Sequence, residues 1–173
     1  MSGAVRIAAL VLLAALLQAS VFSSLVVAGG TPDVLLVTLV CVALLRGSIT
    51  GAAAGFGGGL LVDVATLGTL GVSSLLLTIA GYWAGRYGET TGRDRAHAPL
   101  LAVVVITLLL GVGAYALHFL LGEDVSARNA LVTTLLPGLG LNLIVGGPLY
   151  ALARRLLRAA QAPSRAQEVE VVV

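Results

Sequence analysis

Charge is what this chain has least of: eight acidic and ten basic residues in 173, set against 58% hydrophobic residues and a mean hydropathy of +1.06. No soluble domain of this size stays in water with that composition, so the chain reads as an integral membrane protein. Cysteine is nearly absent too. The single Cys41 excludes an intrachain disulfide, and among Leu, Val and Ala it reads as a small buried apolar side chain. The two histidines, His97 and His118, fall on opposite sides of the predicted bilayer and cannot share a metal. Ser73 and Ser74 have no base on a neighbouring turn, and no Lys-Ser/Thr pair follows any glycine run, so neither a serine nucleophile nor a phosphate loop is supported. The chain is therefore read as a non-enzyme without a metal or cofactor. A net charge of +2 gives no reason to invoke nucleic acid.

What is present is apolar sequence in blocks. Runs bounded by charge, glycine and proline predict an all-α membrane protein with six spans, at residues 7–27, 34–45, 49–67, 72–87, 99–121 and 138–157. A short interfacial helix is expected over 126–136, ending at Pro137, and Pro148 is expected to kink the sixth span. The first run has a signal-peptide look, with Arg6 ahead of it and Ala19, Ser20 and Ala28 behind, but its length favours a retained helix. The second span is the awkward one. Twelve residues reach only about 18 Å, short of a hydrocarbon core of roughly 30 Å, which calls for local thinning, snorkelling or a re-entrant hairpin.

The most distinctive pattern is a glycine every fourth residue, Gly47, Gly51, Gly55 and Gly59, whose next step lands on Asp63. Small residues at that interval make a groove on a membrane helix where another backbone can come close. The fourth span repeats the idea with Gly81 and Gly85, flanked by Ala80 and Ala84. These glycines and Asp63 are the candidates for partner binding or helix packing. Asp63 also has a plainer reading, as a helix-end acid capping the turn through Thr66 and Thr69. Pro32 and Asp33 read as a structural helix start, with the acid suited to the helix dipole.

With six spans and both termini cytoplasmic, nine of the ten arginines lie inside and Arg128 alone lies outside. Arg154, Arg155 and Arg158 gather at the cytoplasmic end of the last span, where they can anchor to anionic lipid. Tyr82, Trp83 and Tyr87 cluster beside Arg86 as an interfacial belt. The domain is placed at residues 1–160, followed by a flexible cytoplasmic tail over 161–173.

Several of these pieces occur in a familiar order. Pro32-Asp33, Arg46-Gly47, Gly55-Phe56, Gly59-Leu60-Leu61 with Asp63, Leu67-Gly68, Gly71, Gly81-Tyr82 and Gly85-Arg86, then Asn142, Pro148-Leu149-Tyr150 and Arg154-Arg155, resemble the MreD family of bacterial rod shape-determining membrane proteins. The charged segment from Arg93 to His97 departs from that pattern. The resemblance implies a scaffold of the cell-elongation machinery in the plasma membrane, pairing with MreC and working beside MreB filaments, RodA and its penicillin-binding transpeptidase. It also implies a fold similar to the substrate-binding subunit of energy-coupling-factor vitamin transporters. Two rivals belong to other classes: a vitamin-uptake subunit, which needs polar and aromatic groups converging under the outer loops, and a membrane enzyme acting on lipid-linked precursors, which needs an acid and base pair.

The arginine asymmetry makes a direct prediction. On a Cys41→Ala background, an impermeant thiol reagent added to intact cells should label Ser126→Cys and spare Thr91→Cys; the reverse pattern would overturn the six-span topology.

Overall fold

From Val34 to Leu44 every residue is Leu, Val or Ala except Thr38 and Cys41, and a helix that is apolar on all sides has to be covered on all sides. The computed structural model, which describes residues 3–21, 26–27, 29–67, 69–91, 98–122 and 134–158, builds the fold around that segment. Six helices follow one another: α1 (Gly3–Ser20), α2 (Val34–Arg46), α3 (Ser48–Thr66), α4 (Val72–Thr91), α5 (Ala98–Leu120) and α6 (Leu136–Arg158). Helix α2 is the central post, packed against all five of the others. All of its residues from Val34 to Leu44 are buried, and Val37, Leu39, Val40, Val42 and Ala43 are wholly inaccessible.

This placement resolves the short second span. Thirteen residues reach about 20 Å, which would be a mismatch for a helix facing lipid, but α2 faces protein on every side and the bilayer never meets it. Four helices, α1, α3, α5 and α6, are long and apolar enough to cross a membrane. Helix α4 has the length but carries Arg86 and Glu89 in its last two turns. Among the described residues there is no strand, only an isolated bridge between Val27 and Gly30.

The helix ends differ from the sequence expectation in ways that have local causes. Helix α1 stops at Ser20, short of residue 27, because Val27 and Gly30 exchange backbone hydrogen bonds of 2.8 and 3.0 Å in a tight reversal with Gly29 at φ 87°. Helix α4 runs on to Thr91, past residue 87, since Gly88 still packs on the backbone of Leu44 and Glu89 has a partner on α3. Pro137 is the second residue of α6 and follows a π-helical pair at 134–135, so the chain stays helical through it. Residues 126–133 of the expected interfacial helix lie outside the described residues. Pro148 sits inside α6, and the helix continues through it to Arg158.

Helices α2 and α3 are joined by one residue. Gly47, at φ 98° and ψ 176°, is at once the C-cap of α2 and the N-cap of α3, a conformation essentially restricted to glycine. Gly47 therefore turns the chain as well as opening the packing series. Gly51 lies on the backbone of Gly81, Gly55 on Leu77, and Gly59 on Ser74, while from the other side Gly85 lies on Gly47 and Ser48. The stripe is the close seam between α3 and α4 of this chain. A Cβ on Gly59 would fall 2.5 Å from the Ser74 Cα, and one on Gly85 would fall 2.5 Å from the Ser48 Cα, so these sites admit hydrogen only.

Gly55→Leu should therefore abolish folded protein in mild detergent, whereas Gly140→Leu on α6, where an added Cβ meets nothing within 4 Å, should leave expression and elution unchanged. Monodispersity by size exclusion reads both. Normal folding of Gly55→Leu would show that the seam is looser than its geometry.

Candidate functional site

A helix packed among other helices leaves backbone N–H groups at its start that lipid cannot satisfy, so side chains must come to them. At the end of the bundle where α2 begins, its own N-cap and two other helices supply these partners. Asp33 is the N-cap: its Oδ1 accepts from the Leu36 N–H at 2.8 Å. The Val34 N–H donates to Gln18 Oε1 of α1 at 2.9 Å. The Asp33 N–H donates to Asn142 Oδ1 of α6 at 2.7 Å, and Asn142 Nδ2 in turn donates to Thr107 Oγ1 of α5 at 3.3 Å. Asn142 is 2% exposed and Thr107 6%, so this chain of bonds runs through the interior.

Asp63 does the same service for α4. Its carboxylate accepts from the backbone N–H groups of Gly71 at 2.8 Å, Ser73 at 3.2 Å and Ser74 at 3.3 Å, so an acid at the end of α3 caps the beginning of the next helix. It is 3% exposed. The Ser74 hydroxyl returns a bond to the Phe56 carbonyl at 3.2 Å, which ties the same hairpin one turn further in.

At the opposite end the traffic reverses. Glu89 of α4 accepts from the Ser48 N–H at 2.8 Å and the Ser48 hydroxyl at 3.1 Å, capping the start of α3. The Ser48 N–H and hydroxyl, with Arg86 at 3.5 Å, hold the Glu89 carboxyl below the usual carboxylate range. Arg6 and Arg46 donate to the carbonyls of Leu156 and Leu157 at 3.4 and 3.3 Å, closing the C-terminus of α6. Among the described residues no buried side-chain polar atom lacks a partner, and no group of three or more metal-ligating side chains occurs.

Two openings remain. One is a half-open cavity of about 590 Å³ beneath the Asp33 end, lined by residues of all six helices. The other is an apolar groove of about 820 Å³ between α1 and α3, floored by Ala4, Ala8, Ala53 and Gly57 and rimmed by Leu12, Leu60 and Val64. The groove lies on the face of α3 turned away from the glycine seam.

The sequence-selected residues thus fall into three sets. Gly51, Gly55, Gly59, Asp63, Gly81 and Gly85 are gathered in the α3–α4 seam, and Pro32 and Asp33 stand at the start of α2. Arg154 and Arg155 lie on the last turns of α6, partly and fully exposed. The side chains of Arg158 and His118, the segment from Arg93 to His97, Arg128 and the tail lie outside the described residues. Sequence reasoning passed over Gln18, Ser48, Glu89 and Thr107. A lone glutamine in an apolar run was the available signal for Gln18; the others bond across gaps of 35 to 41 residues, which no local pattern reveals.

The geometry defines a helical membrane protein whose interior polar groups tie its own helices together. The model of the rod shape-determining protein MreD family matches residues 3–160, and the chain belongs to that family. It is accordingly a rod shape-determining membrane protein, of a family not known for enzymes. Neither a curated protein nor a solved structure matches the chain.

The capping geometry separates two substitutions. Asp63→Asn keeps one carbonyl for Gly71 and Ser74 but turns an amide donor toward the Ser73 N–H, for a loss of about 1–3 kcal/mol; Asp63→Leu strands all three donors and should lose several times more. Thermal unfolding in detergent would measure the order, and equal stability of wild type and Asp63→Leu would remove the capping role.

Proposed function

We propose that the chain is a non-enzymatic scaffold of the bacterial cell-elongation complex, holding the membrane helix of MreC and helping to couple MreB filaments to wall synthesis by RodA and its penicillin-binding transpeptidase. Membership of the family over residues 3–160 is the observation that carries this reading. In it all six helices span the plasma membrane with both termini cytoplasmic. Arg154, Arg155 and Arg158 then meet anionic lipid on the inner leaflet. A fold like that of the energy-coupling-factor substrate subunit belongs to the same reading.

The surface we propose for the MreC helix is the groove between α1 and α3. The seam glycines pack on α4 of this chain, whereas Ala53 and Gly57 present small residues at the same four-residue interval on the open side, which favours that side for a partner helix. The lining on α3 from Thr50 to Val64 extends about 21 Å, more than one leaflet of a hydrocarbon core roughly 30 Å thick, and that extent suits a helix better than a single acyl chain.

A Cβ on Gly57 meets nothing within 4 Å, so Gly57→Leu can fill the groove without disturbing the fold. It should keep normal expression and thermal stability yet lose most MreC on co-purification, and fail to restore rod shape in cells depending on this copy. Full MreC recovery with Gly57→Leu would move the contact elsewhere, and loss of MreC from the wild type in mild detergent would overturn the scaffold reading itself.

A further inference from the structure

We propose that the half-open cavity beneath the Asp33 end is a binding site for a small single-chain amphiphile with a protonated amine head. Its volume of about 590 Å³ falls within the range of roughly 300–1,000 Å³ typical of ligand sites. At roughly 30 Å³ per water-sized unit it holds about twenty such units, room for a head group and one chain. Leu35, Leu76, Leu110 and Leu135 make an apolar body, Asp33, Asn142 and Thr107 form a linked polar side, and Gln18, Thr31 and Ser73 add further polar groups to the lining.

The sign of the ligand follows from what the lining contains. Asp33 is the one charged residue in the lining, and no lysine or arginine is among the lining residues. Among the described residues the ion pair present is Arg86 with Glu89, at the other end of the bundle. Asp33 lines the cavity as the N-cap of α2, and burial disfavours its charge unless a counter-charge is near; an ammonium head supplies one together with hydrogen-bond donors. Asn142 and Thr107 are fixed on the same side by their own bond, with Asn142 Oδ1 already accepting from the Asp33 N–H. An anionic head would meet the carboxylate and be repelled. This site is separate from the α1–α3 groove and does not depend on the scaffold role.

Octylamine, octanol and octanoate share one chain length and differ in the head, so their effects on thermal unfolding of the purified full-length protein isolate the head group. Octylamine should raise the midpoint in a saturable way, octanol less, and octanoate not at all. Asp33→Asn keeps a competent N-cap for α2 while removing the charge, and should bring the apparent affinity for octylamine down about tenfold, to that of octanol. Ala114→Phe, which fills the cavity from α5 and leaves Asp33 intact, should abolish saturable stabilisation by all three. Equal shifts from the three compounds, or an amine preference that survives either substitution, would overturn the proposal.

Discussion

A peptide group in hydrocarbon has no water to turn to, and the fold is arranged around that fact at its most demanding point, the ends of α2. This helix is shorter than a hydrocarbon core and buried along its whole apolar length. Its first N–H groups are met by Asp33 itself, by Gln18 of α1 and, at Asp33, by Asn142 of α6, which Thr107 of α5 braces in turn. Its other end is closed by Gly47, whose N–H bonds the Ala43 carbonyl at 2.7 Å, and by Arg46, which reaches across to α6. Because the partners come from elsewhere in the chain, satisfying α2 also fixes where α1, α5 and α6 must stand.

The same device recurs at the other helix starts and accounts for the placement of the few charges. Asp63 on α3 caps α4 and Glu89 on α4 caps α3, so the hairpin is clamped by a carboxylate at both ends with the glycine seam between them. Each carboxylate meets N–H groups at the start of a helix that would otherwise lack partners. The seam adds what charge cannot. With hydrogen in place of side chains, α3 and α4 bring backbones together and gain dispersion contact that lipid would not supply. The expected consequence for dynamics is a stiff hairpin, since there is little room for one helix to slide on the other.

How much of this the sequence disclosed depends on the range of each interaction. An all-round apolar run announced α2 as a helix, and its shortness announced a problem, but that burial solves the problem is a tertiary fact. Asp63 stands four residues before the left-handed Leu67 and eight before Gly71, so a cap at that turn was legible, while the choice of α4 as the beneficiary needed three dimensions. Gly47 is the first member of the stripe by spacing and does meet Gly85; that it is also the hinge between α2 and α3, at φ 98°, was not legible, because spacing carries no information about φ. The Asp33–Asn142 bond joins residues 109 apart, and only a co-ordinated fold brings them together.

Helix α3 shows why so much glycine was worth keeping. Residues 55 and 57 lie about 200° apart around a helix, so Gly51, Gly55 and Gly59 face α4 while Ala53 and Gly57 face the groove shared with α1. Small residues at alternate positions serve two opposite faces. In water this would weaken a helix by roughly 1 kcal/mol per glycine, but in a membrane the unpaired backbone is costlier still, and the helix survives. One face is consumed in folding the chain. The other is left smooth, open and supported from behind by the tightest packing in the molecule, which makes it the part of the surface best able to receive another helix without yielding.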